Sequence, residues 1–500
     1  VVEHQDVVIV GAGLSGIGAA CRLKQHQPKR SFIVLEARQR LGGTWDLFRY
    51  PGVRSDSDMF TLAYPFNPWT QPRSIVGGET IWEYIRSTAR RHGVEEHIRF
   101  GHRLEAARWD SRTCRWTLSV RTEGAQVELT CRFLYLCSGY YSYDGGYAPR
   151  LAGLDDFQGS VIHPQNWPPG LDLEGKKVVV VGSGATAVTL VPALANTASS
   201  VTMLQRSPTY MAVLPSTDPL AAAAAKRLPA AISSRLSRWR SVVAGAGFYQ
   251  FCRRWPNAAR RLLRSGVARQ LPADYPIEPD FAPRYNPWDQ RLCVVPDGDL
   301  FKAISSGRAK VVTGVIERFE PGGVRLQGGA LLEADVVVLA TGLVLLSCGG
   351  VRFEVDGKAV HPADCFLYRG FMLSDLPNLA MCIGYTNASW TLRADLSSRY
   401  VCRLLALMAQ GGYTKVVPRY RGDPNEALPF LPLTSGYVQR ALSSLPKQGR
   451  RSPWRLRQNY LVDFLEFKLA DLLAGLELCA PAPDLATRTA KPARALSLSK

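Results

Sequence analysis

Six short runs along the chain are apolar, one of them broken by a single threonine: VVIV at 7–10, FIVL at 32–35, FLYL at 133–136, VVVV at 178–181, VTML at 201–204 and VVVL at 336–339. Runs of this length, bounded by turn residues, predict strands buried on both faces, and the longer stretches between them hold helical segments. This alternation predicts an α/β protein with two Rossmann-like folds. The first and fourth runs each lead into a glycine-rich turn and then a helix-forming stretch, "GAGLSGIGAACRL" and "GSGATAVTLVPAL".

In the first copy Gly11, Gly13 and Gly16 stand as GxGxxG. The first glycine makes a tight turn, the second lets a pyrophosphate approach the backbone, and the third lets helix pack on strand. The following strand ends in Glu36, twenty residues after Gly16, where a carboxylate accepts hydrogen bonds from ribose hydroxyls. An acid here suits an adenosine ribose without a phosphate, as in FAD or NAD. In the second copy Gly182, Gly184 and Ala187 form GxGxxA, and the next strand ends in Gln205, Arg206 and Ser207. A guanidinium in that place pairs with a 2′-phosphate where an acid would repel it, so this site is expected to take NADPH.

Cys137, Ser138 and Gly139 follow the third run, and Ala340, Thr341 and Gly342 follow the last. Small residues there let the chain leave one sheet and cross to another. They predict an FAD-binding domain at 1–145 and 346–500, interrupted by an NADPH-binding domain at 146–345. Residues 215–290 are rich in Ala, Leu and Arg and read as a helical insertion in the inner domain. The last residues, from about 480, are expected to lack order.

The 500 residues carry a formal net charge of +19. Between Asp218 and Asp274 there is no acid, while Lys226, Arg227, Arg235, Arg238, Arg240, Arg253, Arg254, Arg260, Arg261, Arg264 and Arg269 fall in that stretch. Trp239, Phe248, Tyr249, Phe251 and Trp255 are mixed among them, which suits a helix on a membrane surface and equally one packing its aromatic side inward. Nucleic acid is not an expected partner, and the oligomeric state stays open. No apolar run spans a bilayer and no signal-peptide pattern opens the chain, so a cytoplasmic location is expected, peripheral at the inner membrane surface if the basic segment meets lipid. The eleven cysteines include no CxxC, which argues against a dithiol reductase built on the same two folds. No metal site is expected.

Between the two folds, Phe157, Gly159, His163, Trp167 and Pro168 match FxGxxxHxxxWP, the fingerprint of Baeyer–Villiger monooxygenases and their flavin monooxygenase relatives. "GGTWDLFRYPGVRSDSDM", "LCSGYY", "YNPWDQRLC", "GYTNASWTL" and "LPKQGRRSPWRLRQNY" resemble the ethionamide-activating mycobacterial branch of that family. The resemblance implies NADPH- and O2-dependent conversion of ketones to esters or lactones through a C4a-peroxyflavin, with sulfoxidation of thioethers or thioamides. A sulfur- or nitrogen-oxygenating flavin monooxygenase with little ketone activity is the alternative.

By the same resemblance, Arg291 is the catalytic cation and Asp56 pairs with it from the FAD side. Gly43 and Thr44 line the FAD, Trp45 and Tyr50 pack near its isoalloxazine, His163 acts at a hinge, and Trp454 with Asn459 folds over the nicotinamide end. Gln290 replaces a lysine that other members use for the 2′-phosphate, leaving Arg206 and Ser207 with that task. Val344 and the stretch 347–365 depart from the branch and border the expected substrate pocket, so substrate preference stays open.

Overall fold

In the computed structural model of the chain, which describes residues 2–480, the apolar runs pair into two separate sheets. Glu3–Val10 lies between the parallel strands Phe32–Leu35 and Gln126–Leu136, with Val10 level with both Leu35 and Leu136. Ile98–Arg99 and Leu379–Met381 extend this parallel region, and the antiparallel strands Arg103–Asp110 and Arg115–Arg121 continue it past Gln126–Leu136. The second sheet is wholly parallel, in the order Ala309–Thr313, Ser200–Gln205, Lys177–Val181, Val336–Leu339, Ser160–Ile162. Its strands all lie between 160 and 339, whereas the first sheet draws only on segments before 137 and after 351. The tail expected to lack order lies, from residue 481, outside the described residues.

The two crossings between the sheets run side by side. Leu346 N–H donates to the Tyr140 carbonyl at 2.9 Å, Ser142 N–H to Val344 at 2.8 Å, and Tyr147 N–H to Gly342 at 3.0 Å. His163 sits against this ribbon, with Nε2 3.3 Å from the Gly342 carbonyl, and a Cβ on Gly146 would overlap its ring. Burial lowers the His163 pKa, so the neutral ring is favoured. His163 thus touches both crossings.

The parallel pair Met211–Leu214 and Cys293–Pro296 marks where a helical excursion leaves and returns. Asp218 caps the first helix, Pro219–Arg227, by accepting from Leu220 N–H and Ala221 N–H, and two longer helices follow, Ala230–Arg254 and Pro256–Ala268. The excursion does not belong to the inner domain alone. Arg238 Nη1 donates to the carbonyls of Phe60 at 2.8 Å and Ala63 at 2.7 Å, and Trp239 packs edge-on to Phe464. Its aromatic side is thus partly consumed in contacts with the outer domain.

Candidate active site

The first glycine turn is built by close backbone approach. Gly11 has φ +101°, and a Cβ there would lie 2.6 Å from the Cys137 carbonyl oxygen; a Cβ on Gly16 would overlap the Gly11 carbonyl. The helix Leu14–His26 starts here with no side-chain cap and no acid in its first turn. Its free N–H groups and positive dipole end therefore face the cavity, an arrangement that binds phosphate. Gly13 bridges to Gly42, and Gly43 approaches so closely that a Cβ on Gly13 would be 3.4 Å from its Cα. Glu36 is buried at the strand end and accepts from Ala12 N–H at 2.8 Å and Arg38 N–H at 2.9 Å. Burial raises its pKa against those two backbone bonds. Each carboxylate oxygen keeps a lone pair for a ribose hydroxyl.

A cavity of about 1540 Å³ opens from this turn and runs between the two sheets to the helical excursion. Its wall carries three polar atoms that are buried without a protein partner: Asn387 Oδ1, Ser389 Oγ and Gln458 Nε2. They cluster at the open N-terminus of the long helix Trp390–Gln410. Gln458 also accepts from Thr386 N–H at 3.0 Å, and Asn387 Nδ2 donates to the Gln458 carbonyl at 2.8 Å, so the two segments are tied together. A bare glycine cradle, and beside it a helix N-terminus ringed by unpaired amide and hydroxyl groups, fit the pyrophosphate and the polar ring edge of FAD.

Arg291 lies in the loop that re-enters the strand Cys293–Pro296. This loop is anchored on both sides, by the Arg253–Asp289 ion pair at 2.8 Å and by Thr434 N–H donating to the Asp289 carbonyl at 2.9 Å. Arg291 Nη2 donates to the Tyr140 hydroxyl at 3.2 Å, whose oxygen is 2.7 Å from that of Tyr141. Tyr140 is held flat against Trp390, with centroids 5.1 Å apart, and Trp390 Nε1 donates to Ser15 Oγ at 2.7 Å in the first nucleotide turn. The Arg291 pKa is raised well above the ordinary arginine value, first by Tyr140, then by Tyr437, Tyr141 and Asp56, with burial opposing.

Asp56 makes no ion pair with Arg291; the expected contact pair is replaced by the tyrosine dock. Although Asp56 is exposed to the cavity, the protein packed around it pushes its pKa up to about 6, against the pull of Arg54 and then Arg291. The ion pair that does span the two folds is Arg54–Asp299. Arg54 reaches the helix Asp299–Ser305, while Arg291 reaches across the folds to the Tyr140 hydroxyl.

Around Asp56 the segment 42–58 divides its work differently from the expectation. Thr44 and Trp45, in the short helix Thr44–Leu47, line the cavity. Tyr50 instead buries its ring in the apolar core of the second sheet with Val188 and Leu190, and Gly52 lies against the helix Ala185–Leu194, where a Cβ would meet the Thr189 carbonyl at 2.9 Å. Tyr50 therefore joins the two folds and still borders the cavity. Asp46, 2% exposed, was not singled out from the sequence; Arg38, Arg40 and Arg49 converge on it at 2.8, 3.2 and 2.7 Å and fix the short helix beside the cradle.

Trp454 is a further correction. It is buried in the first core, edge-on to Tyr368 at 5.3 Å and Tyr420 at 5.2 Å, and does not reach the cavity. Asn459 does border it and caps the helix Tyr460–Leu469 by accepting from Leu461 N–H at 3.0 Å.

The second glycine turn is open. Gly182 packs so that a Cβ would overlap the Ala340 carbonyl, Ala187 is fully buried under the helix, and a Cβ on Gly184 would meet nothing within 4 Å. Ser183 Oγ donates to the Ser207 carbonyl at 2.8 Å, drawing the strand end towards the turn. Arg206 and Ser207 are exposed beside it, and Arg206 makes no ion pair among the described residues. A free guanidinium beside an uncapped helix N-terminus suits the two phosphate positions of NADPH. Arg206→Ala is expected to raise the KM for NADPH at least tenfold, from loss of a charge-assisted bond of about 1.5–3 kcal/mol, and to change the KM for NADH little; equal rises in steady-state assays would refute the assignment.

The tyrosine pair and the Asn387–Ser389 and Gln458 groups were also not singled out as site residues. Asn and Ser just before a helix start, in "TNASWTL", are a recognisable end signal, but only contact with the cavity marks them as functional.

Residues 9–72 match the family model described as an NAD(P)-binding Rossmann-like domain. The chain is 52% identical over 462 residues to the FAD-containing monooxygenase EthA of Mycobacterium tuberculosis, covering 92% of this chain and 94% of that protein. It is 50% identical over 462 residues to EthA of Mycolicibacterium smegmatis, with the same coverage. Among solved structures, OTEMO in complex with FAD and NADP superposes with a TM-score of 0.73 at 20% identity, over 95% of this chain and 99% of that one, a likeness of fold. Identity at this level along nearly the whole chain is decisive: it belongs to the family of FAD-containing monooxygenases.

Proposed function

We propose that the protein is an NADPH- and O2-dependent FAD monooxygenase that converts ketones to esters or lactones and thioethers to sulfoxides. The observation that carries this reading is Arg291, a permanent cation in a deep cavity between two nucleotide turns, docked on a phenol hydroxyl and not on a carboxylate. FAD, when bound, supplies reduction by NADPH and activation of dioxygen.

The chain's own contribution is charge and enclosure. Arg291 has an Nε–H buried without a partner, so its donor fork is only partly satisfied by Tyr140. Negative charge developing on an oxygen in the cavity therefore meets a preorganised donor that needs no reorientation of water. The Tyr140 and Tyr141 hydroxyls share one hydrogen bond at 2.7 Å, which fixes the orientation of the phenol that Arg291 meets. Asp56 tunes the field: neutral below about pH 6, it leaves the Arg291 charge undiminished, and as an anion above that pH it offsets part of it. Leu343, Leu346, Tyr385 and Trp390 give this part of the cavity an apolar wall that limits water.

An aerobic assay with NADPH, using a cyclic ketone in one vessel and a methyl aryl thioether in the other, tests the reading. Lactone and sulfoxide are both expected, each formed with matching NADPH consumption. Sulfoxide without lactone favours the alternative, a sulfur- or nitrogen-oxygenating monooxygenase. Hydrogen peroxide as the sole oxygen product with either substrate would overturn both.

A further inference from the structure

The helical excursion leaves apolar and cationic side chains uncovered together. A residue before proline is disfavoured in the α region, and Leu228, at φ −124° and ψ 149°, ends the helix Pro219–Arg227 ahead of Pro229. The next helix turns Ser233 and Ser234 inward and presents Ile232 and Leu236, four residues apart on one face, at 54% and 58% exposure. Lys226, Arg227 and Arg235 surround them, exposed and without an ion pair among the described residues. By contrast Arg240, Arg253 and Arg264 of the same excursion are neutralised by Asp218, Asp289 and Glu278. The far end repeats the pattern, with Trp255 and Leu262 exposed beside Arg254 and Arg261.

We propose that this elbow, centred on Lys226–Leu236, is a docking surface for an anionic lipid bilayer. Apolar side chains flanked by cations on a helix lower into the headgroup region while the charged tips stay at its surface. No acid lies between residues 219 and 273, so the face complements anionic lipid and repels a second copy of itself. Among the described residues no helix is long and apolar enough to cross a membrane. Leu220 and Leu262 also line the cavity, so an apolar substrate dissolved in the bilayer would enter beside the docked face. That consequence rests on the monooxygenase reading; the docking itself does not.

The test is co-sedimentation of the holoenzyme with phosphatidylglycerol–phosphatidylcholine vesicles and with phosphatidylcholine vesicles, at low and high salt. Selective, salt-sensitive binding to the anionic vesicles is expected. The triple variant Lys226→Gln, Arg227→Gln, Arg235→Gln should bind them on the order of 100-fold more weakly, and Leu228→Ser with Ile232→Ser and Leu236→Ser should also weaken binding. Both variants should keep wild-type flavin content and wild-type sulfoxidation of a water-soluble thioether without lipid. Equal binding to both vesicles, binding to neither, undiminished binding by the cation variant, or light scattering that shows self-association in place of lipid binding would overturn the proposal. Absence of sulfoxidation in the wild type, with selective lipid binding intact, would count against the activity and not against the surface.

Discussion

Arg291→Ala is expected to slow oxygenation by about 100- to 1000-fold, the cost of removing one preorganised donor from a developing oxyanion. Reduction of the flavin by NADPH in the absence of oxygen should change only a few-fold, because the nucleotide turns are untouched. Stopped-flow absorbance separates the two: wild-type and variant flavin bleach at similar rates, while product formation falls and hydrogen peroxide release rises. Ester formation at near wild-type rate in the variant would remove Arg291 from the chemistry. Asp56→Asn provides the companion measurement. The wild-type rate should contain an ionisation near pH 6 that the variant lacks.

The stability of the apo-protein should report the same group. Its folded pKa lies above the unfolded value, so the folded state holds the proton more tightly and its contribution declines as pH rises from about 4 to about 6. The melting temperature of Asp56→Asn should therefore exceed that of wild type at pH 8 and match it at pH 4.

Gly16→Ala is expected to abolish FAD retention. The new Cβ would overlap the Gly11 carbonyl, which belongs to a turn already pressed against Cys137, so neither partner has a flexible end with which to yield. Overpacking of this kind costs roughly 3 kcal/mol, and here it falls on the backbone that must face the pyrophosphate. Purified variant should show little absorbance at flavin wavelengths relative to protein, with retained secondary structure by circular dichroism. Gly184→Ala is the contrast, since a Cβ there meets open space; wild-type flavin content is expected. Normal flavin content in Gly16→Ala would show that the first turn is not the cradle.

The difference between these two predictions follows from how far apart in sequence the interacting groups lie. Gly11, Gly16 and Glu36 act on one another within a strand, a turn and a helix, so their spacing alone identifies a nucleotide turn. The same is true of Gly182 with Ala187, and of the charge contrast between Glu36 and Arg206. Arg291 reaches Tyr140 across 151 residues and Arg54 reaches Asp299 across 245. Nothing in "CSGYY" or "DQRLC" records that the two crossings and the returning loop converge.

Trp454 shows the opposite failure. A motif likeness placed it at the cofactor, but Tyr368 and Tyr420 offer its ring an apolar nest that the cavity cannot match. The helical excursion was legible as helix from its alanines and arginines. Which of its arginines are neutralised, and which of its leucines stay uncovered, was decided only when Asp218, Asp289 and Glu278 were brought to it.

By itself, then, the amino-acid sequence determined two glycine-rich Rossmann turns, their order and the family, because backbone sterics and side-chain charge at a turn act over a few residues. Only the tertiary structure decided that Arg291 docks on a phenol, that Asp56 stands apart with a raised pKa, and that Tyr50 serves the joint between the folds. Those outcomes depend on burial and on distances between segments more than a hundred residues apart, and both exist only once the chain has closed on itself.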